Sequence, residues 1–355
     1  MSALKALILR QIAAHGPLPV ADYMTLCLLH PQYGYYITRD PLGAAGDFIT
    51  APEISQMYGE VLGLFFAQVW MDQGSPAPFT LAELGPGRGT LMVDMLRATR
   101  KIPGFHSSLR LHLVEASPVL RAHQASVLAD QVPTAHDSAD SLPDDQPLFL
   151  VANEFFDALP IRQFLRTPEG WAERMVGAEA ENLRFGLAPP APLAALSHRL
   201  ADTTPGMMVE TCAPAQPIMD AISRRIVTQG GVALIVDYGD WRSRGDTLQA
   251  LRQHRRDDPL AHPGEADLTA HVDFEALAQG GEPLRATGPT PQGSFLDRLG
   301  LGLRAEQLAR GLSGDSLSEH LAAYRRLTQA EEMGHLFKVM ALTRPGAPAL
   351  PGFDQ

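Results

Sequence analysis

The chain has 355 residues and a mass of 38.4 kDa, enough for one elaborated domain or for two domains with a large core. Hydrophobic residues make up 45% of the sequence and charged residues 19%, a balance that excludes a disordered chain and a disulfide scaffold. The formal net charge of −11 would repel a phosphate backbone over most of the surface, so no nucleic acid partner is expected.

The first predicted element is a helix, because apolar residues recur at helical spacing from Leu4 to Ile12. No small-residue cleavage site follows this basic start. We therefore interpret the segment as part of the fold, with a cleaved presequence as the alternative. Helical patterns continue through residues 1–78, where the best apolar stretch, Val61–Met71, is too short for a membrane span.

Four apolar runs bounded by turn residues predict buried parallel strands. They are Phe79–Leu84, Leu109–Glu115, Leu148–Ala152 and Val232–Val236. A helical stretch from Thr90 to Arg100 separates the first two runs, as a βαβ crossover requires. The predicted fold class is therefore α/β, with a Rossmann-like, doubly wound sheet.

The segments around this sheet have other patterns. Ile161–Val176 and Leu183–Leu187 are predicted to form short inserted antiparallel strands, followed by a Pro- and Ala-rich connector. The polar, charge-dense segment Gly239–Pro263 is interpreted as a solvated loop and helix. The tail after Arg344 is rich in proline and glycine and is expected to be frayed.

A glycine-rich turn follows the first strand, with the sequence Glu83-Leu-Gly85-Pro-Gly87-Arg-Gly89-Thr90. Such a turn lets a ligand approach the backbone closely. A dinucleotide fingerprint would need Gly or Ala where Thr90 stands, and Glu83 would repel a pyrophosphate. The spacing instead resembles motif I of the S-adenosylmethionine methyltransferases, whose cofactor carries a sulfonium and an ammonium that a carboxylate complements. A plain strand-to-helix turn is the alternative.

Two more carboxylates follow later strands. Glu115 ends the second strand, where it can accept hydrogen bonds from both ribose hydroxyls of a nucleoside. Asp137 follows the next short apolar segment and is a candidate contact for an adenine amino group, with an ordinary loop as the alternative. Both are assigned to cofactor binding.

Further motifs extend over nearly the whole chain, from about Tyr33 to Leu342. They are Gly34-Tyr-Tyr36, Arg39-Asp-Pro-Leu-Gly43, Gly46-Asp-Phe-Ile-Thr50-Ala-Pro-Glu53-Ile-Ser-Gln56, Asn153-Glu-Phe-Phe-Asp157-Ala-Leu-Pro160, Val236-Asp-Tyr-Gly239 and Asp267-Leu-Thr-Ala-His271-Val-Asp-Phe274. Together they closely resemble the MidA family, which comprises bacterial proteins and the mitochondrial complex I assembly methyltransferases.

The resemblance implies an enzyme that uses S-adenosyl-L-methionine, and a protein substrate. Mitochondrial members are assigned symmetric dimethylation of an arginine on a core complex I subunit, so a similar reaction is expected here. A cofactor-binding assembly chaperone without obligatory turnover and a small-molecule methyltransferase are the alternatives. Because no presequence is recognised, a bacterial cytoplasmic location is expected ahead of the mitochondrial matrix. The oligomeric state is not predicted.

We expect three consecutive regions. Residues 1–78 form a helical cap that contributes to the cofactor site, and residues 79–240 form the methyltransferase core, with an insertion at about 161–210. Residues 241–355 form a substrate-side excursion and the C-terminal strands that complete the core.

The segment Thr50-Ala-Pro-Glu53 is interpreted as a capping box that opens an apolar helix running on through Met57 and beyond. Free backbone N–H groups at this N-terminus can receive the methionine carboxylate of the cofactor. The residues assigned to cofactor binding here are therefore Gly46, Asp47, Phe48, Thr50 and Pro52, while Glu53 is a candidate substrate contact. A capping pair with no further role is the alternative for Thr50 and Glu53.

The catalytic candidates lie at the end of the fourth strand. Methylation of an arginine requires a carboxylate beside the guanidinium, because a pKa above about 12 makes the nitrogen a poor nucleophile until its proton is accepted. Glu154 is the candidate for that role, with Asn153 and Asp157 as positioning or cofactor contacts. The alternative is that Glu154 binds the ammonium of the cofactor.

Three further residues are candidate substrate contacts. Asp237 and Tyr238 close the fifth strand and are expected to line the substrate mouth, with a strand-end turn as the alternative. His271 lies 9 residues after His262, which is not a ligand spacing on a helix, and a lone histidine in such a segment is usually structural. No metal site is predicted.

Overall fold

The computed structural model describes residues 2–38 and 50–354, and none of the helices in these ranges is long and apolar enough to cross a membrane. The helices are α1 (Ala3–His15), α2 (Val20–Leu29), α3 (Tyr35–Thr38), α4 (Ala51–Ile54), α5 (Gln56–Asp72), α6 (Thr90–Thr99), α7 (Phe105–Ser108), α8 (Pro118–Val127), α9 (Ala215–Gln229), α10 (Phe274–Gly280), α11 (Gln292–Arg298), α12 (Leu301–Ala309), α13 (Gly314–Thr328) and α14 (Met333–Leu336).

The strands include every run predicted from the sequence. They are β1 (Leu18–Pro19), β2 (Phe79–Leu84), β3 (Leu109–Val114), β4 (Thr134–His136), β5 (Leu148–Asn153), β6 (Arg162–Thr167), β7 (Gly170–Glu179), β8 (Asn182–Leu187), β9 (Met208–Thr211), β10 (Gly231–Asp240), β11 (Gln249–Arg252), β12 (Arg255–Asp257), β13 (Asp267–Thr269), β14 (Val272–Asp273), β15 (Arg285–Ala286), β16 (Thr290–Pro291) and β17 (Phe337–Thr343).

The described residues form two compact units, each built from discontinuous segments. The first unit draws on Met1–Phe48, Asp157–Gln216 and Arg242–Asp273, and the second on Ile49–Phe156, Pro217–Trp241 and Phe274–Gln355. The unit boundaries fall inside the three consecutive regions expected from the sequence, whose division into domains stays a prediction.

The first unit is built on antiparallel sheets. Strands pair in the order β1-β7-β6-β9, with β8 added to β7, and a second small sheet has the order β12-β11-β13. The predicted antiparallel insertion is confirmed in β6, β7 and β8. Apolar side chains of α1 and α2, among them Ile8 and Tyr23, are fully buried against this unit's strands because their helical spacing gives each helix one apolar face.

The second unit contains the predicted α/β sheet, which confirms the fold class. Strands β10, β5, β2, β3 and β4 are adjacent in that order and parallel, and β17 pairs antiparallel with β10. The chain moves outward from β2 through β3 to β4 and then returns to β5 on the other side of β2. Ligands of such sheets bind at this reversal, outside the carboxyl ends of the strands.

Helix α5 covers this sheet and packs directly on α6. A Cβ atom at Gly59 would lie 2.6 Å from Asp94 Cβ, and one at Gly63 would lie 2.7 Å from Met95 Cα, so two glycines one turn apart permit the close approach. The contact fixes α5 beside the helix that follows the glycine-rich turn.

The predicted capping box is wrong. Thr50 precedes α4 but its side chain makes no capping hydrogen bond, and α4 ends at Ile54 after one turn. A separate helix, α5, begins at Gln56, where the Ser55 hydroxyl accepts a hydrogen bond from Met57 N at 3.3 Å. The carboxylate of Glu53 accepts a hydrogen bond from the hydroxyl of Thr90, on α6.

Two other expectations are corrected. The segment Gly239–Pro263 contains a β-hairpin of β11 and β12 instead of a helix, because Gln253 and His254 both adopt the left-handed conformation of a tight hairpin turn. The tail is not frayed where Phe353 packs its ring, only 8% exposed, against Phe65 and Phe295.

Candidate active site

The glycine-rich turn connects β2 to α6 at the sheet reversal. Gly85, Gly87 and Gly89 all have positive φ angles, of 61°, 54° and 82°, which other residues adopt only with strain. A Cβ atom at Gly85 would lie 2.9 Å from the ring of Phe155, so a side chain is excluded there. Glycine is therefore needed for the shape of this turn, and its contact with a ligand stays a prediction.

Glu83 lies at the base of the turn and is 2% exposed. Its Oε2 is buried and has no hydrogen-bond partner among the residues that the structure describes. Burial, together with the negative charge of Glu115, raises the pKa of Glu83 to about 8. An orphaned, buried carboxylate oxygen matches a cationic ligand, so the residues present fit a cofactor with a sulfonium and an ammonium.

Glu115 is buried directly after β3. Its Oε1 accepts a hydrogen bond from Ser117 N at 2.8 Å, and its Oε2 accepts one from Gln124 Nε2 at 3.3 Å. Burial raises the pKa of Glu115 despite these donors. The carboxylate is therefore held in place at the end of the strand that neighbours the glycine-rich turn, where the sequence places a ribose contact.

Gln124 is a neighbour of the predicted cofactor contacts that the sequence does not indicate. This buried residue of α8 donates from Nε2 to the carbonyl oxygen of Gly87 at 2.7 Å as well as to Glu115. It links the glycine-rich turn to the carboxylate predicted to bind ribose. Its position on a helix gives no sequence signal, because any glutamine on a partly apolar helix has the same pattern.

Replacing Gln124 by methionine is expected to weaken cofactor binding about tenfold, because the volume is kept while both hydrogen bonds are lost. Titration calorimetry with S-adenosylhomocysteine measures this effect. Gln229→Met is the matched control, since that glutamine donates to the backbone of Asp144. Equal affinities for the three proteins would contradict the role of Gln124.

Glu154 directly follows β5 and has a φ of 51°, an uncommon conformation for a residue other than glycine. Its N–H donates to Val236 O at 2.8 Å, which anchors the strained residue on the neighbouring strand. Its Oε1 accepts hydrogen bonds from Ala51 N at 2.8 Å and from Asn153 Nδ2 at 3.1 Å. Burial raises the pKa of Glu154 to about 7, although these donors oppose the shift.

Two further candidates of the second unit, Glu53 and Asp237, support neighbouring parts of the site. Glu53 bonds Thr90 at the start of α6 and lies 3.9 Å from Arg88. Asp237 is fully buried and accepts hydrogen bonds from the backbone N–H groups of Phe155 and Phe156, which fixes the loop after β5. The structure thus gives Asp237 a role in supporting Glu154's loop that the sequence does not indicate.

Three other candidates lie in this unit, and one of them, Tyr238, donates from its backbone N–H to Asp237 Oδ1 at 2.9 Å. Pro52 is buried in α4, and the Tyr238 ring packs edge-to-face on Phe337 in the core. Asp137 has a side chain 92% exposed that pairs with Arg121. The N-terminus of α4 is partly occupied, since Ala51 N donates to Glu154.

The last predicted residues belong to the first unit or fall outside the described residues. Asp157 and His271 belong to the first unit, where Asp157 O accepts from Ala270 N and His271 N donates to the Thr247 hydroxyl. Gly46, Asp47 and Phe48 lie outside the described residues.

Comparison with known proteins identifies the chemistry of this arrangement. A family model of S-adenosyl-L-methionine-dependent methyltransferases matches residues 61–290. The protein arginine methyltransferase NDUFAF7, mitochondrial, of Danio rerio is 38% identical over 94% of this chain and 85% of its own. The protein of the same name from Homo sapiens is also 38% identical, over 94% of this chain and 82% of its own.

Solved structures agree with this result. A protein from Burkholderia thailandensis, crystallised with bound S-adenosyl-homocysteine, superposes with a TM-score of 0.84 at 28% identity, covering 99% of this chain and 94% of that one. The expected family, enzyme class and cofactor are thereby confirmed. The expected cytoplasmic location is wrong, because the named relatives are mitochondrial proteins.

Proposed function

We propose that this chain, which belongs to the family of S-adenosyl-L-methionine-dependent methyltransferases, methylates an arginine side chain of a protein. The names of the relatives support the arginine, and the resemblance noted in the sequence motifs supports a subunit of respiratory complex I as the substrate. We further propose that this arginine is dimethylated symmetrically.

The observation that best supports this proposal is the hydrogen bonding of the Glu154 carboxylate. Both hydrogen bonds to this carboxylate reach Oε1, and Oε2 accepts none from the described residues. A guanidinium that meets Oε2 would be oriented and would lose a proton to a group whose pKa, about 7, suits proton transfer near neutral pH. The cofactor, when bound, supplies a methyl group already activated on a sulfonium, so the protein's task is alignment and proton acceptance.

The pH dependence of kcat follows from this role. Glu154 must be ionised to accept a proton, so kcat at saturating cofactor is expected to rise about tenfold per pH unit below pH 7 and to level off above it. Saturation separates this effect from titration of Glu83, whose pKa of about 8 affects cofactor binding. A kcat that is flat between pH 5.5 and 8, roughly one unit either side of the pKa, would contradict the assignment.

A labelling experiment separates the classes of substrate. A lysate from cells that lack the protein is incubated with the purified chain and methyl-labelled cofactor, and protein and small-molecule fractions are counted. Label in a discrete protein band supports the proposal, and label only in small molecules contradicts it.

Gly87→Val tests the chaperone alternative, since strain at a φ of 54° should disrupt the turn. A chaperone that needs no turnover would still support assembly.

A further inference from the structure

Tyr58 is connected to Glu154 by two hydrogen bonds through the side chain of Asn153. It lies on α5, is fully buried, and donates from its hydroxyl to Asn153 Oδ1 at 2.5 Å. The other end of the Asn153 amide donates from Nδ2 to Glu154 Oε1. Two bonds thus connect a buried phenol to the carboxylate proposed as proton acceptor.

The two bonds are coupled through the amide. An ionised carboxylate only accepts hydrogen bonds, so the Nδ2 end of Asn153 must face Glu154, and the buried Oδ1 end then needs a donor. Tyr58 supplies that donor. Without it, Oδ1 is left unsatisfied while Glu154 is ionised, or the amide turns round and Oδ1 accepts a hydrogen bond from the O–H group of neutral Glu154. Either change favours the neutral carboxyl group.

We propose that Tyr58 is a positioning residue, which holds the Asn153 amide in the orientation that donates to Glu154. This inference rests on the proposed function, because it assigns Tyr58 a role through Glu154. Nothing in the sequence of α5 distinguishes Tyr58 from a core aromatic residue.

Several charged groups near the hydrogen-bonded series Tyr58–Asn153–Glu154 affect the pKa values of Glu154 and Tyr58. Arg326 of α13 lowers the pKa of Glu154, in opposition to burial. Burial and the negative charges of Glu154, Asp237 and Glu83 raise the pKa of Tyr58 well above its usual value. The phenol consequently stays protonated, and remains a donor, throughout the pH range of an assay.

Tyr58→Phe tests the inference, since it removes one hydroxyl and keeps the ring. The rising limb of the kcat profile is expected to move up by about one pH unit, so that kcat falls about tenfold below pH 7 and recovers at pH 9. The affinity for S-adenosylhomocysteine should change less than about twofold. Tyr23→Phe is the matched control, because that buried hydroxyl donates to Pro259 O in the first unit.

A double-mutant cycle makes the result specific. In a protein with Asn153 replaced by alanine, Tyr58→Phe should no longer shift the rising limb of the kcat profile along the pH axis, because the amide that couples Tyr58 to Glu154 is absent. A limb that stays in place in Tyr58→Phe, or that moves equally in Tyr23→Phe, would overturn the inference while leaving the proposed function intact. Full activity in Glu154→Gln would overturn the catalytic role proposed for Glu154, and label found only in small molecules would overturn the proposed function itself.

Discussion

Replacing Glu154 by glutamine is expected to lower kcat at least about 100-fold while the affinity for cofactor changes less than about threefold. Glutamine keeps the shape of the side chain and can still accept from Ala51 N, so the backbone around the site should persist. It cannot accept a proton from a guanidinium. Single-turnover assays at saturating cofactor measure the rate, and calorimetry with S-adenosylhomocysteine measures the affinity.

Glu154→Asp provides the graded comparison, because it keeps the charge and withdraws it by one methylene. We expect it to retain more activity than Glu154→Gln, since a carboxylate remains to accept the proton. If Glu154→Gln loses cofactor affinity in proportion to its rate, then Glu154 binds the ammonium of the cofactor and the catalytic assignment fails.

Glu83→Gln is expected to weaken cofactor binding roughly 100-fold, because the buried carboxylate is the negative partner for a cationic ligand. The same substitution should stabilise the protein measured without cofactor. Burial raises the pKa of Glu83 from 4.5 to about 8, so the folded state disfavours ionisation of this carboxyl group. Glutamine is neutral, and its introduction therefore relieves this cost.

The sign of the pH dependence follows from that shift. Between pH 4.5 and about 8 the unfolded chain loses the proton of Glu83 while the folded chain retains it, so the folded state loses stability as pH rises. The stability gain of Glu83→Gln should be absent at pH 4, grow through this window and level off above it. Thermal unfolding at several pH values measures the gain.

Glu210→Gln is the matched control for Glu83→Gln. Glu210 is also buried with a raised pKa, but both of its oxygens accept hydrogen bonds, from Gln163 and Thr247. Its replacement should leave cofactor affinity unchanged and bring no stability gain. A Glu83→Gln protein that binds cofactor with normal affinity would contradict the assignment of Glu83 to the cofactor site.

The sequence predicted the sheet and the glycine-rich turn because both depend on local patterns. Buried parallel strands are nearly uninterrupted apolar runs, and the spacing of Glu83 and its glycines is fixed by the turn they form. By contrast, Tyr58 and Gln124 act through partners 95 and 37 residues away. On their helices they have the pattern of ordinary core residues, so only the fold reveals them.

The errors have similar causes. The segment from Thr50 to Glu53 has the composition of a capping box, but the Thr50 side chain makes no capping hydrogen bond and Glu53 accepts a hydrogen bond from Thr90. The hairpin around Gln253 was missed because its turn lacks glycine. The C-terminal tail is held where a single aromatic ring, Phe353, packs into the core, which composition cannot indicate.

An arginine of a protein is proposed to receive the methyl group, with Glu154 as proton acceptor. Tandem mass spectrometry of the labelled protein, from parallel reactions with the unmodified chain and Glu154→Gln, tests it most directly. We expect methylated arginine with the unmodified chain and none above background with Glu154→Gln, although that variant binds cofactor. Methylated lysine, or methylated arginine formed equally by both proteins, would contradict it.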